Sequence, residues 1–431
     1  MVGIEFDATI VTYRMSQSNH TTSMMRKVAL SVVGLVGLLI VDTGLPLAKM
    51  YVASSLFAAF LMYMFRKPPL IDVLAIMLLG PLATGLHTWF WFNEWFRPRV
   101  FMILGGYGVA AVLILTARLI WSEREQGKKS AEILGPVIAL TAVLFASTWL
   151  NGSGKLWPQT LDLYAFSFDA SMGANASFWM GKMFTNHPWF GVFGTSAYHF
   201  ILIAMILAQI AYEKRRLPQI SRTFVLEACF VAAVLGFSFY QLYPACGPLY
   251  AFPNDFPFGA IPAHDVVRLA LAPISLETHI PRNAMPSLHM TWALLIWWNL
   301  RSCGRVLHAL GFIFAMLTMI GTLGTGEHYL IDLVVAFPFT VMIQGISRRE
   351  LAWSARRKWV GVVAGLTTTL VWIVLLRVGI RWFWISPVIS WTAVALTIGG
   401  SLYLSLPLTR FEKLGESDKV VGMSKLVASA G

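Results

Sequence analysis

The sequence predicts an all-α, polytopic integral membrane protein of about twelve transmembrane helices, and three observations predict it. Of 431 residues, 57% are hydrophobic and only 13% charged, whereas a soluble domain carries roughly a quarter charged residues. Apolar runs recur along almost the whole chain, each long enough to cross a hydrocarbon core of about 30 Å as a helix. The Lys and Arg residues fall on alternate connections rather than evenly: 24 of the 33 lie in connections on one side.

In order, the runs are 28–47, 50–65, 70–92, 100–121, 133–150, 189–212, 223–243, 287–300, 306–323, 328–346, 359–380 and 383–406. The first follows a polar stretch ending in Arg26-Lys27 and has no small-residue cleavage site, so a retained segment is expected. Pairs and clusters such as Arg66-Lys67, Lys128-Lys129, Lys214-Arg215-Arg216, Arg348-Arg349 and Arg356-Arg357-Lys358 share one side, which the positive-inside rule makes cytoplasmic together with both termini. The net charge of +12 is therefore expected to express topology, with no nucleic-acid partner. The eighth run is short, and its first turn is expected below the surface, where a polar cavity makes that tolerable.

Two long connections, 151–188 and 245–286, face the non-cytoplasmic side in this topology. The first mixes Trp157, Tyr164, Phe166, Phe168 and Trp179 with polar residues, a pattern that suits a segment lying in the membrane interface. The second is punctuated by Pro and Gly from Pro244 to Pro286. The tail 409–431 is polar and expected to be flexible. Cys229, Cys246 and Cys303 have neither zinc nor disulfide spacing and are expected as small buried residues.

Two segments place histidines at helix ends that enter from the same face. In Pro281-Arg282-Asn283-Ala284-Met285-Pro286-Ser287-Leu288-His289, Pro then Ser before an apolar run is a helix start, whose first-turn N–H groups attract an anion. Arg282 adds a fork suited to phosphate oxygens. In Gly324-Thr325-Gly326-Glu327-His328-Tyr329-Leu330-Ile331-Asp332, His328 and Asp332 are four apart and share a helical face. A carboxylate there fixes the imidazole tautomer and leaves the other ring nitrogen free to attack, while His289 can protonate a departing alcohol. Two His and one Asp beside Arg282 make a poor divalent-metal set, so no metal or other cofactor is expected. Glu327 is read as a solvated loop carboxylate, and His87 and His199 as packing histidines.

The segments Pro286-Ser287-Leu288-His289 and His328-Tyr329-Leu330-Ile331-Asp332 resemble motifs of the phosphatidic acid phosphatase type 2 superfamily of membrane lipid phosphatases and phosphotransferases. Tyr243-Pro244-Ala245-Cys246-Gly247-Pro248 resembles the inositol phosphorylceramide synthase branch, and the His328 segment is also similar to sphingomyelin synthases. The resemblance implies a six-helix catalytic core, His328 as the phosphorylated nucleophile, Asp332 as its orienting carboxylate and His289 as general acid, then base. Arg282, Ser287, Asn283, Gly247 and Tyr243 complete the expected substrate-binding set.

The departures carry information. The Lys-x6-Arg-Pro segment usual in the phosphatases of this superfamily is missing, since the one Arg-Pro, Arg97-Pro98, has Phe90 at the lysine position; Thr322 stands where an arginine is usual. Unless Arg268 or Arg282 substitutes, loss of that charge favours a singly charged phosphodiester over a dianionic monoester, hence head-group transfer between membrane lipids as donor and acceptor. The organisation expected is an accessory membrane region over 1–132, a catalytic core over 133–347, two further spans over 348–406 and a tail over 407–431. A phosphatase acting on phosphatidate- or isoprenoid-type phosphates is the nearest alternative. A transporter or scaffold is the alternative from another class, but Asp42, Asp72, His87 and Glu94 lie near span ends rather than at a midplane.

Overall fold

The computed structural model describes residues 46–90, 99–150, 153–173, 175–214, 224–259, 271–349, 351–353 and 355–409. Most of the first expected span, Arg97-Pro98, Arg268 and the tail beyond 409 lie outside them.

The described chain is helical almost throughout, as an apolar chain must be where only intra-segment hydrogen bonds can satisfy the backbone. In chain order the helices begin with α1 (Pro46–Phe65), α2 (Leu70–Phe90), α3 (Arg99–Trp121), α4 (Arg124–Leu150) and the single turn α5 (Ser153–Leu156). There follow α6 (Asp162–Ser171), α7 (Ala176–Asn186), α8 (Pro188–His199), α9 (Ile201–Lys214), α10 (Phe224–Leu242) and α11 (Pro248–Ala251). The remainder are α12 (Leu288–Leu300), α13 (Arg305–Gly324), α14 (Leu330–Ser347), α15 (Arg356–Val378), α16 (Ile380–Phe383) and α17 (Pro387–Thr409). Six of these are long and apolar enough to cross a membrane, or up to seven if α8 and α9, bent by 59° between them, form one broken span. The all-α polytopic membrane class therefore holds.

The helices match the apolar runs closely, with three differences. The run 189–212 breaks at Phe200 into α8 and α9. α4 begins at Arg124, two polar turns ahead of the apolar run. Part of the segment expected at the interface is core: α6 is almost wholly buried and packs against α11, α14, α15, α16 and α17. There Phe168 meets Trp372 and Phe383 edge-on at 5.2 and 4.8 Å, and Ser171 shares a 2.8 Å hydrogen bond with Ser390. These aromatics are core, because α15–α17 fold over them.

α14 is the central element, 89% buried across its apolar window. It packs on α10, α12, α15 and α17, and α12 in turn packs on α9, α10 and α13. Away from the histidines, Asn299 of α12 and Gln344 of α14 exchange side-chain amide bonds of 3.1 and 3.0 Å. Each buried amide satisfies the other, so the pair holds the two helices in one register. The helices α1–α4 form a further bundle whose Asp72 is bonded by Tyr63 and by Arg118 at 2.7 Å. Arg66 ties that bundle together through Glu132 at 2.8 Å and reaches α9 through Glu213 at 3.8 Å.

Candidate active site

Ser287 caps α12: its backbone is extended, its hydroxyl accepts from the Met290 amide at 3.4 Å, and one first-turn N–H is thereby satisfied. The expected helix start is therefore present, with His289 in its first turn. α14 begins two residues later than the expected span, at Leu330, with Tyr329 as an extended N-cap and His328 just outside the helix. Asp332, at the third helical position, accepts the Tyr329 amide at 2.8 Å and reaches His328 Nδ1 at 3.5 Å. Helical side-by-side spacing is thus not what joins the pair; the carboxylate turns back as a capping group and meets the histidine there.

His328 Nε2 stands 3.3 Å from Ser287 Oγ, and the Ser287 amide donates to the Asp332 carbonyl at 3.2 Å, so the two helix starts are directly joined. The rings of His289 and His328 are 6.4 Å apart between centroids. Reacting atoms approach to roughly 3–3.5 Å, so the two imidazoles are near enough to address one phosphoryl group from two sides. With the Nδ1 proton directed at Asp332, Nε2 keeps its lone pair and Ser287 donates to it. The Asp332 contact is longer than a good hydrogen bond, a distance that tightens in many enzymes once substrate is bound.

His289 stacks on Tyr198 with centroids 3.8 Å apart and planes 22° from parallel, and Trp292 closes its edge at 5.6 Å. The Tyr198 hydroxyl donates to Glu327, which makes Glu327 a holder of Tyr198 rather than a loop carboxylate in solvent. No pattern in the sequence marks Tyr198, which sits inside an apolar run and reaches His289 from another helix.

Three expected substrate contacts take other roles. Arg282 is wholly buried, and its guanidinium bonds the carbonyls of Ile280 at 2.7 Å, Trp157 at 3.0 Å and Leu276 at 3.3 Å. It ties the 157–158 and 276–280 segments together, with its guanidinium on their carbonyls rather than free as a fork for phosphate, and burial lowers its pKa. Tyr243 is buried with its hydroxyl on the Leu161 carbonyl at 3.2 Å. Gly247 has φ +93° and presses against the Glu327 carbonyl, which a Cβ would overlap; it shapes the loop beside His328. Asn283 is half-buried. Thr322 is buried and bonded to Met319 within its own helix, so it supplies no charge in place of the missing arginine.

Two carboxylates absent from the sequence reading lie on α6. Asp162 accepts the amides of Gly247 at 2.8 Å and Cys246 at 3.1 Å, with Cys246 Sγ at 3.2 Å. All three cysteines are free and buried, and burial beside Asp162 pushes the Cys246 thiol up. Asp169 accepts the amides of Leu330 at 2.7 Å and Ile331 at 3.2 Å. Burial drives its carboxyl well above the usual range, the Leu330 amide opposing and the neighbouring Asp332 adding to the rise. The signal was available: two acids seven apart share one helix face, and apolar surroundings oblige each to find partners. Among the described residues no three His, Cys, Asp or Glu side chains group as a metal would need.

Fold and site together define a polytopic membrane protein with an imidazole pair at the joined starts of two core helices. Residues 164–346, which contain both histidine segments, match the family model of the PAP2 superfamily. That match supports phosphatase- or phosphotransferase-type chemistry in general and singles out no branch of the superfamily. No curated protein and no solved structure matches the chain.

Proposed function

We propose that this protein is a membrane lipid phosphotransferase that moves an inositol phosphate-type head group between lipids through a phosphohistidine intermediate. The observation that carries the reading is the meeting of His289, His328 and Asp332 at one end of α12 and α14, His328 Nε2 resting on Ser287. His328 Nε2 forms a bond to phosphorus as the bond to the donor's glycerol oxygen breaks, and His289 gives its proton to that oxygen. The acceptor hydroxyl then passes its proton to His289 and attacks phosphorus, and the bond to His328 breaks. Ser287 at the α12 start holds a non-bridging oxygen as charge redistributes.

Neutral Thr322 and the inward-turned Arg282 favour a phosphodiester, which brings one negative charge, over a monoester, which brings two. The positive-inside charge distribution supports a non-cytoplasmic position for this end of the bundle. The test is incubation of the purified protein with phosphatidylinositol labelled in the inositol ring, with and without ceramide. Label entering a ceramide product, and only when ceramide is present, is the expected result. Release of labelled inositol phosphate to water regardless of ceramide would make the protein a phosphodiesterase, and release of inorganic phosphate from phosphatidate a phosphatase.

A further inference from the structure

The segment 162–186 carries three polar contacts on the nucleophile's own stretch of backbone. Ser177 Oγ donates to the His328 carbonyl at 2.6 Å. Asp169 accepts the next two free amides, those of Leu330 and Ile331, one on each oxygen. These are first-turn N–H groups of α14, which no intrahelical carbonyl can reach. Seven residues earlier, on the same face of α6, Asp162 grips Cys246 and Gly247. Gly247 in turn packs on Glu327, and the Leu249 amide donates to Gly326 at 2.8 Å. The chain is therefore held from His328 onward directly by α6 and α7, and just before His328 by the 247–249 segment, which Asp162 of α6 fixes in turn.

We propose that Asp169 and Ser177 are positioning residues for phosphoryl transfer, clamping the backbone of 328–331 so that His328 Nε2 points at the phosphorus. Neither side chain touches the imidazole. Both act through the peptide groups that carry it, and His328 has no helix of its own to fix it because it lies outside α14. A nucleophile on an extended N-cap segment can swing by an ångström when its amides are released, and such a displacement costs about a hundredfold in rate. Burial raises the stakes: Asp169 is 1% and Ser177 2% exposed, so water cannot replace either bond.

The inference rests on His328 being the nucleophile, and the experiment separates the two. Wild type, Asp169→Asn, Ser177→Ala and His328→Ala are purified in detergent, and ring-labelled phosphatidylinositol and labelled phosphatidate are each given as donor. The rate of label capture on the protein after alkaline quench is measured with kcat and KM, per folded molecule. Asp169→Asn keeps an acceptor for one amide and sets an NH₂ against the other; capture and kcat should fall about a hundredfold with KM unchanged. Ser177→Ala should show the same split with a smaller loss. A purely structural role would lower the folded yield and melting temperature while leaving the rate per folded molecule intact, and that outcome overturns the inference. If Asp169→Asn does not fold, Ser177→Ala decides alone, and wild-type capture there overturns it. Should His328→Ala still capture label and turn over, the phosphohistidine reading itself fails.

Discussion

In the proposed mechanism His328 is primed by two neighbours on opposite ring nitrogens, Asp332 at Nδ1 and Ser287 at Nε2. His328→Ala removes the nucleophile, and turnover should disappear with membrane insertion intact, since the residue lies outside the packed helix. His289→Ala removes the proton donor, and kcat should fall about 10²–10⁴-fold, measured on the same labelled donor. Either variant keeping near-normal turnover would remove the proposed site. Tyr198 is a finer case: it braces His289 by stacking and is itself held by Glu327. Tyr198→Phe keeps the stack and loses the Glu327 bond, whereas Tyr198→Ala loses both. The alanine variant should be the slower of the two, and equal rates would mean that stacking contributes nothing to His289.

At the scale of elements, the site exists because α12 and α14 start together, and a polar lock at their far ends keeps their register. Asn299 and Gln344 satisfy one another across that interface. Gln344→Ala takes two bonds from the buried Asn299 amide, which keeps the Leu295 carbonyl at 2.8 Å and the Arg348 guanidinium at 3.4 Å, at a cost of about 1 kcal/mol per lost bond. A lowered melting temperature should follow, recovered in part by Asn299→Leu combined with Gln344→Leu, because replacing both partners by apolar groups is nearly neutral. A double variant as unstable as the single one would show that the pair does not act through mutual satisfaction. Two glycines matter likewise. Gly247 and Gly326 both take positive φ, +93° and +74°, where an L side chain costs about 1–2 kcal/mol, and the two loops touch there because neither bears a Cβ.

For the whole molecule, the helices flanking the core are its walls. α15–α17 cover α6 and α14, and the α1–α4 bundle leans on α9 and α10. Basic clusters predict which end of this assembly faces the cytoplasm. In a background without the three native cysteines, a cysteine near Pro281 or Thr325 should react with an impermeant maleimide added to intact cells. One near Arg349 should react only after lysis, because the Arg348–Lys358 cluster holds that connection inside. Reversed labelling would turn the site toward the cytoplasmic leaflet and a different lipid supply. Chelation should leave turnover unchanged, since the proposed steps use imidazole rather than a Lewis acid. Loss with EDTA and rescue by one divalent ion would replace the mechanism.

By itself the sequence determined the membrane class, nine of the described helices at nearly their observed limits, and His289, His328 and Asp332 as the residues that meet at two helix starts. Those features are local: apolar length decides a span, and a Pro-Ser or Gly-rich break decides where a helix begins. Tertiary structure alone decided what the polar residues of the connections do. Arg282, in a motif and beside a phosphate-type helix start, turns away because loop carbonyls from 157 and 276–280 surround it. Asp169, in a segment that reads as interfacial, turns inward to His328's backbone across a separation of some 160 residues. Local periodicity records which face of a helix is apolar; it does not record which distant carbonyl or amide will be left unsatisfied when the helices close. That is a property of the packed bundle, where burial makes every unpaired polar group costly and thereby selects its partner.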